Sequence, residues 1–589
     1  MTTTPIAHSA RLGDWSLFVP KLVTVFQEGY DRASFKADIF AGLTVAIVAM
    51  PLSMALAIAS GVGPERGLFT AVVAGALISA LGGSRHQIGG PTGAFVVVVF
   101  NVVARFGYDG LAVATLMAGA MLVAAGFARL GTFIKYIPYP VVTGFTTGIA
   151  LIIFSSQIGD LLGLSLAHVP GDVVGKWQAY LAAMGSFRWQ ALAIAACTLG
   201  GILAVQRLAP RLPAFLLIIA FASAVALILH FPIQTIGTRF GEIPNMLPAP
   251  HLPTFTLAEL RLLFPSAFTI FLLGGIESLL SAVVADGMIG GQHRSNMELV
   301  AQGVANIVSP LFGGIPATGA IARTATNVKN GGRTPIAGMT HAVTLLLITL
   351  FFGQWAAKIP LAVLAAILVV VAYNMSEWRT FMAELRAPKS DVAVLLITFS
   401  LTVLVDLTVA IEVGMLTAVF LFMRRMAEVT NVSAVKMDDE QDDPWTTDPN
   451  SIHRRVVPKD VEVYEVNGPF FFGAVETFKN TLGQVARKPK VLIIRMRNVP
   501  AIDSTGMHAL KDVVHRARKD GTLVLLSDVQ AQPRLAIARS AVIDEIGEEN
   551  IFANVDEALS AANEYLSARD LERSVFPRAS GPRSVSRDT

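Results

Sequence analysis

Gly89-Gly90-Pro91-Thr92-Gly93-Ala94 recurs as Gly313-Gly314-Ile315-Pro316-Ala317-Thr318-Gly319-Ala320, more than two hundred residues along the chain. Each copy follows a hydrophobic segment and opens a short one. In a membrane protein, Gly/Pro-interrupted segments at corresponding points of two halves point to a transport site. A helix broken at membrane depth leaves N–H groups free, and those groups suit an anion. The alternative at this stage is two unrelated turns between helices.

Composition makes the membrane reading firm. Hydrophobic residues are 53% of 589 and charged residues 15%, with a mean hydropathy of +0.58, well away from the soluble norm. Apolar runs of spanning length recur from about Ala37 to Met426. The first, Phe40 to Ala59, lacks a small-residue cleavage site, so it reads as a span rather than a secretory signal. A net charge of +3 gives no support to nucleic-acid binding. The single cysteine, Cys197, excludes an intramolecular disulfide and a multi-cysteine metal site.

Runs and breaks predict spans at 38–60, 67–83, 92–106, 111–130, 138–162, 190–207, 213–231, 265–289, 296–313, 318–328, 334–357, 360–375, 391–406 and 407–424. The third and tenth are too short to cross as complete helices, and both begin with the repeated motif. With a cytoplasmic N-terminus, the inner loops carry Arg85, His86, Arg129, Lys135, Arg207, Arg211, Arg294, Lys329, Arg333, Arg379, Arg386 and Lys389, ahead of Arg424-Arg425. The outer loops keep Arg66, Arg105, Lys176, Arg188, Arg239, Arg261 and Lys358, an incomplete bias that favours both termini inside.

Beyond Met426 the solvent changes. Residues 427–457 read as a linker around the acidic run Asp438–Asp443. Strands are expected at Val461–Val466, Val491–Ile494 and Leu523–Leu526, and helices near 473–486, 505–519 and 533–547. That alternation makes 458–566 a small α/β domain, followed by an Arg/Ser/Pro-rich tail, 567–589, expected to be disordered.

These residues resemble the SulP anion transporter family, the sulfate permease group that includes the prestin and pendrin proteins. The match runs through Ala41-Gly42-Leu43 to Pro51, Gly61-Val62 to Gly67-Leu68, Gly83-Ser84-Arg85, Gly89-Gly90-Pro91, and Gly313-Gly314 to Ala322-Arg323-Thr324. Asp503-Ser504-Thr505-Gly506, after a strand and before a helix, resembles the hallmark loop of a STAS domain. Gly275 to Leu280, Asp286-Gly287-Met288 and Asn374-Met375-Ser376-Glu377 are similar to the bacterial branch that takes up C4-dicarboxylates. The resemblance implies fourteen segments in two inverted seven-segment repeats, with a core bundle and a scaffold bundle. A cytoplasmic segment, 1–37, would precede repeat one at 38–231, and repeat two would run over 265–426.

The resemblance also implies a site. Arg323, inside the short tenth segment, would meet the bound anion; otherwise it snorkels to the headgroups. Thr92, Gly93, Ala94 and Phe95 would approach the anion from one half. Thr318, Gly319, Ala320, Ile321 and Ala322 would approach from the other, unless these small residues only serve helix packing. Some relatives carry a hydroxyl just before the arginine; here Ala322 stands there, and Thr318 or Thr324 is expected to compensate. Leu52 and Leu56 would form an apolar wall. Glu277, with Ser281 one turn on, is expected to carry a coupling proton, or else sodium; the competing role is an ion pair with Arg323 or a packing hydrogen bond. Asp286 and His293 are expected to be solvated, Glu412 to help hold the scaffold, and His341 to be a hydrogen-bonded packing residue. Asp406 flanks the last turn. In the STAS loop Asp503, Ser504, Thr505 and Gly506 offer a helix N-terminus where a hydroxyl could be phosphorylated; assembly and partner binding are the other role.

The function so implied is a secondary active transporter of a small anion, a C4-dicarboxylate or sulfate, working by alternating access with proton symport across a bacterial inner membrane. Alternatives are an anion exchanger, a sodium-coupled bicarbonate transporter, and a membrane-anchored STAS regulator. An enzyme finds no phosphate loop, metal cluster or nucleophile–base pair in its favour, and no cofactor is expected. A homodimer is the expected assembly, with the bilayer, the anion and a protein at the STAS domain as partners.

Overall fold

The computed structural model describes residues 15–132, 138–166, 170–209, 213–242, 244–405, 407–434, 451–483 and 489–575. Lys135, Arg211, Asp406 and the acidic run lie outside them. The chain divides into two compact units between Ala418 and Val419.

The first unit is helical. A short amphipathic α1 (Lys21–Glu28) precedes α2 (Arg32–Ala59) and α3 (Pro64–Leu81). Then come β1 (Gly89–Gly90), a 3-10 turn at Gly93–Phe95, and α4 (Val96–Phe127). The chain continues through α5 (Tyr139–Leu161), α6 (Val173–Ala182), α7 (Trp189–Leu208), α8 (Ala214–Ile228) and a short α9 (Ile236–Phe240). The second half repeats the plan with α10 (Leu257–Ile289), α11 (Ser295–Leu311), β2 (Thr318–Gly319), α12 (Ile321–Lys329), α13 (Pro335–Ala356) and α14 (Leu361–Met375). It closes with α15 (Trp378–Glu384), α16 (Lys389–Leu404) and the first half of α17 (Leu407–Val429), within which the boundary between the units falls. Among the described residues, seven helices are long and apolar enough to cross a bilayer.

Spans three and four follow one another through Gly107, whose φ of 68° and ψ of −173° are not helical, so α4 is two helices broken where the sequence divides them. Other boundaries differ from the sequence expectation, each for a physical reason. Repeat two starts earlier than 265: Thr256 and Glu259 form a capping box, and the helix runs through Pro265. The segment 1–37 already holds α1 and the start of α2, where the Asp31 side chain caps by accepting from Ser34 N. The tenth span is short, nine residues from Ile321 to Lys329.

β1 and β2 pair antiparallel, Gly89 with Gly319 and Gly90 with Thr318, so each half contributes one strand to a two-rung ladder at the start of its half-helix. Close approach is general in this bundle. A Cβ on Gly119 would lie 2.7 Å from the Gly303 carbonyl, and one on Gly303 2.6 Å from that of Gly119, so α4 and α11 meet backbone to backbone.

Named bonds define two faces. On the face where α2 begins, Asp38 is 0% exposed. It accepts from Tyr30 (2.9 Å), Arg333 N (2.6 Å), Thr334 N (3.1 Å) and Thr334 Oγ1 (2.5 Å). Arg294 there donates to Val19 O and Thr24 Oγ1, and buried Glu298 accepts from Gly83 N and Ser84 N. On the opposite face Arg66 donates to Gly313 O and Tyr108 to Gly314 O.

The second unit is an α/β domain whose sheet has the order β3-β4-β5-β6-β7, from β3 (Asn431–Ala434), β4 (Val461–Asn467), β5 (Val491–Asn498), β6 (Leu523–Ser527) and β7 (Ile551–Phe552). β3–β4 is antiparallel and the other pairs are parallel. Its helices are α18 (Val475–Gly483), α19 (Ser504–Lys519), α20 (Ala531–Ala538), α21 (Val542–Ile546) and α22 (Val555–Val575). Two expectations are corrected here. Residues 431–434, read as linker, form a strand by pairing with β4. The tail begins later than 567, because α22 continues to Val575 and is tied by Arg569, which donates to Gly521 O and to the Tyr565 hydroxyl.

Candidate functional site

The ladder delivers both half-helix starts to one cavity of ≈ 380 Å³ within the first unit. Its wall includes Thr92, Gly93 and Ala94 from the first copy of the motif and Ala320, Ile321, Ala322 and Arg323 from the second. Leu52, Leu56 and Glu277 line it as well. The opposing wall comes from α5 and α14, through Val141, Phe145, Thr146, Val371 and Met375. Val45, Val48, Thr326 and Glu377 extend it toward the face where α2 begins. Glu377 there has a left-handed backbone, φ 42° and ψ 36°, a costly conformation for a residue with a Cβ.

Arg323 is 3% exposed. Its Nη2 donates to Ser53 Oγ and to Pro91 O, both at 3.1 Å, while Nε and Nη1 have no partner among the described residues. The guanidinium is therefore held by one nitrogen and offers two buried donors beside the cavity, a poor arrangement for a structural arginine and a good one for an anion. It does not snorkel. Gly90 makes room, since a Cβ there would collide with Nη1. The first N–H groups of α12 have no partners within their own helix and carry its positive dipole end.

Glu277 accepts from Thr92 Oγ1 at 2.7 Å, so its carboxylate is tied to the start of the first half-helix rather than to Arg323. Ser281 does not share that contact; its hydroxyl donates to Thr324 Oγ1 at 3.1 Å. Neither expected substitute for the missing hydroxyl reaches the cavity. Thr318 donates to Gly274 O, and Thr324 Oγ1 accepts from Ile88 N and Ser281. Phe95, 1% exposed, packs in the apolar core, and Gly319 sits in the ladder over the Gln87 side chain. Sequence reasoning missed Ser53, whose hydroxyl also donates to Ala49 O. A serine inside an apolar helix normally bonds its own backbone, so it gave no signal.

Three further expectations change. Asp286 and His293 are not simply solvated but form a partly buried pair at 2.7 Å, with His293 Nε2 2.9 Å from Ser295 Oγ. His341 is 0% exposed and neither ring nitrogen has a partner among the described residues, so the expected packing hydrogen bond is not made there. Glu412 lies on the exposed side of its helix. In the α/β unit, Asp503 caps α19 by accepting from Gly506 N at 2.7 Å and also takes Phe472 N at 3.2 Å. Ser504 and Thr505 are exposed on its first turn.

A many-spanning helical bundle with a central, cation-bearing cavity between two broken helices, joined to a small α/β domain, defines a membrane transporter rather than an enzyme. Residues 35–398 match the sulfate permease family and 454–558 the STAS domain, and the chain belongs to that family, SulP with a C-terminal STAS domain. A Bacillus subtilis protein, YvdB, provisionally named a sulfate transporter, is 42% identical over 90% of this chain and 98% of its own. The bicarbonate transporter BicA of a Picosynechococcus species is 30% identical over 90% and 95%. The transmembrane domain of a cyanobacterial BicA superposes with a TM-score of 0.59 at 32% identity, over 66% of this chain and 98% of that one. The fold also matches murine Slc26a9, an anion transporter solved in its inward-facing state, with a TM-score of 0.83 at 18% identity over 95% and 96%. The family is one of anion transporters.

Proposed function

We propose that the protein is a secondary active transporter of a compact oxyanion such as sulfate, coupled to a proton carried by Glu277. The observation that carries the reading is the buried Arg323 guanidinium with Nε and Nη1 unpartnered beside the cavity. The anion takes these two donors and the first N–H groups of the half-helices, while Leu52 and Leu56 keep the wall apolar.

Charge arithmetic favours a compact anion over the C4-dicarboxylate. Arg323 is the one cation among the described lining residues, against the carboxylates of Glu277 and Glu377. A C4-dicarboxylate fits the volume, yet its second carboxylate would find no second cation, only the neutral donors of Thr146, Thr326 and Asn374 and the like charge of Glu377. A proton on Glu277 removes that repulsion for a dianion. Its bond to Thr92 links protonation to the half-helix that borders the anion. Movement of the α5–α14 wall against the ladder-bearing wall then opens the site to either face in turn. The relatives named for sulfate and bicarbonate support the substrate class. The setting is a bacterial plasma membrane with both termini cytoplasmic, the chain working as a homodimer and its Asp503–Gly506 loop offered to a protein partner.

The test is uptake of labelled sulfate into proteoliposomes with an acid exterior and no internal anion, with succinate and bicarbonate as competitors. Uptake driven by the gradient and lost in Glu277→Gln is expected. Gradient-driven uptake that persists in the variant removes the proton from Glu277, and uptake that needs an internal anion makes the protein an exchanger. Competition by succinate but not sulfate restores the dicarboxylate.

A further inference from the structure

We propose that Glu377 ranks anions by charge at the cavity mouth. Its carboxylate repels dianions more than monoanions and so loosens the cavity's hold on them toward the face where α2 begins. The inference rests on the reading of Arg323 as the central site.

Glu377 stands in the turn between α14 and α15 and lines the cavity that holds Arg323. Nothing local accounts for a glutamate there. It is the N-cap residue of α15, yet its side chain makes no capping bond. Its carboxylate is exposed and has no hydrogen bond or ion pair among the described residues. Its left-handed backbone, φ 42° and ψ 36°, would suit asparagine, aspartate or glycine at less cost. Aspartate, asparagine or serine would also cap the helix better. The turn is nevertheless held firmly. Ser376 O accepts from Thr147 Oγ1 at 2.5 Å, and Ser376 N donates to Ala372 O at 2.9 Å. Phe381, 6% exposed, seats α15, with its ring 5.9 Å from that of Trp378 and 5.2 Å from that of Phe399 on α16. Packing therefore over-determines the strained residue and fixes its carboxylate at the mouth.

Charges in the cavity are few. Among the described lining residues Arg323 is the one cation, and Glu277 and Glu377 are the carboxylates. Glu277 is bonded to Thr92 beside the first half-helix, while Glu377 belongs to the α5–α14 wall. An anion between Arg323 and the mouth is thus attracted by one fixed charge and repelled by another. Repulsion grows in proportion to the anion's own charge, so sulfate feels about twice the energy that bicarbonate feels at the same place. A charge at an exposed rim acts over a distance that salt shortens, which separates its effect from a packing role. Weakening the hold on a dianion near the mouth favours unloading on that face, cytoplasmic in the proposed topology.

The experiment measures equilibrium binding of labelled sulfate to the purified full-length protein, with bicarbonate as competitor, at about 0.01 M and about 0.15 M ionic strength. If the wild type holds bicarbonate more tightly, the two anions exchange roles. The variants are Glu377→Asp, Glu377→Asn and Glu377→Gln. Aspartate and asparagine both relieve the backbone, and only aspartate keeps the charge. At low ionic strength Glu377→Asn and Glu377→Gln should lower Kd for bicarbonate about threefold and for sulfate about ninefold, the square of the first factor because the energy is linear in charge. Both factors should shrink at the higher ionic strength, and Glu377→Asp should stay near wild type. Equal factors for the two anions, or no change in Glu377→Asn, would overturn the proposal. The same change in Glu377→Asp as in Glu377→Asn would also overturn it and assign the effect to the backbone. Arg323→Ala in the same assay separates the two readings: if it keeps wild-type affinity, the central site is wrong whatever Glu377 does.

Discussion

Arg323→Lys isolates what the guanidinium does beyond carrying charge. In the structure one nitrogen, Nη2, is held by Ser53 Oγ and Pro91 O, leaving Nε and Nη1 without an acceptor among the described residues. A lysine keeps the positive charge but presents one nitrogen, which cannot both replace Nη2 and supply the donors of Nε and Nη1. The loss is one charge-assisted hydrogen bond, about 1.5–3 kcal/mol. At about 1.4 kcal/mol per decade this becomes a rise in Kd of roughly 10- to 150-fold. Equilibrium binding of labelled sulfate to purified protein, with transport measured alongside, reads the change directly. Arg323→Ala should abolish binding. Unchanged affinity in Arg323→Lys would refute the argument from unpartnered donors and leave Arg323 as a source of field alone.

Asp38→Ala should lower stability by about 3–5 kcal/mol, since it strips a buried carboxylate from four donors in the turn before α2 and the loop between α12 and α13. Thermal unfolding in detergent reads it, and a wild-type melting temperature would contradict the assigned role. In the α/β unit, the Arg455 guanidinium beside Asp556, at 2.7 and 2.9 Å, holds that carboxyl below its ordinary value. A lowered carboxylate stabilises the fold above its unfolded pKa, and the contribution is lost as pH falls through the folded value. Hydrogen exchange at the start of α22 in the full chain should therefore accelerate below about pH 4, and Asp556→Asn should remove that pH dependence.

The site was legible where covalent geometry writes it into the letters. Gly89-Gly90 and Thr318-Gly319 mark helix breaks because only Gly and Pro interrupt an apolar run so abruptly, and Arg323 is visible as a charge where charge is costly. What escaped depends on direction. Ser53 and Ser281 look alike in sequence, but one takes Arg323 and the other Thr324. Lys176 reads as an ordinary loop charge, and nothing in its neighbours signals that α6 folds it over Phe100. The break after Phe106, by contrast, is legible because glycine ends the apolar periodicity, and Gly107 is non-helical there. Residues 431–434 form a strand only through β4, a partner thirty residues away that local pattern does not name.

The two-rung ladder has a consequence for how the protein is made. Gly89 and Gly90 emerge from the ribosome more than two hundred residues before Thr318 and Gly319. At about 5–20 residues per second, the first half-helix waits roughly ten to fifty seconds for its partner strand. For that interval it holds unpaired backbone amides at a depth where hydrocarbon offers no substitute. The nascent first half therefore has to shelter that segment in water or in the insertion machinery until its mirror arrives. Synthesis speed between the two motifs becomes a variable in the yield of correctly assembled protein.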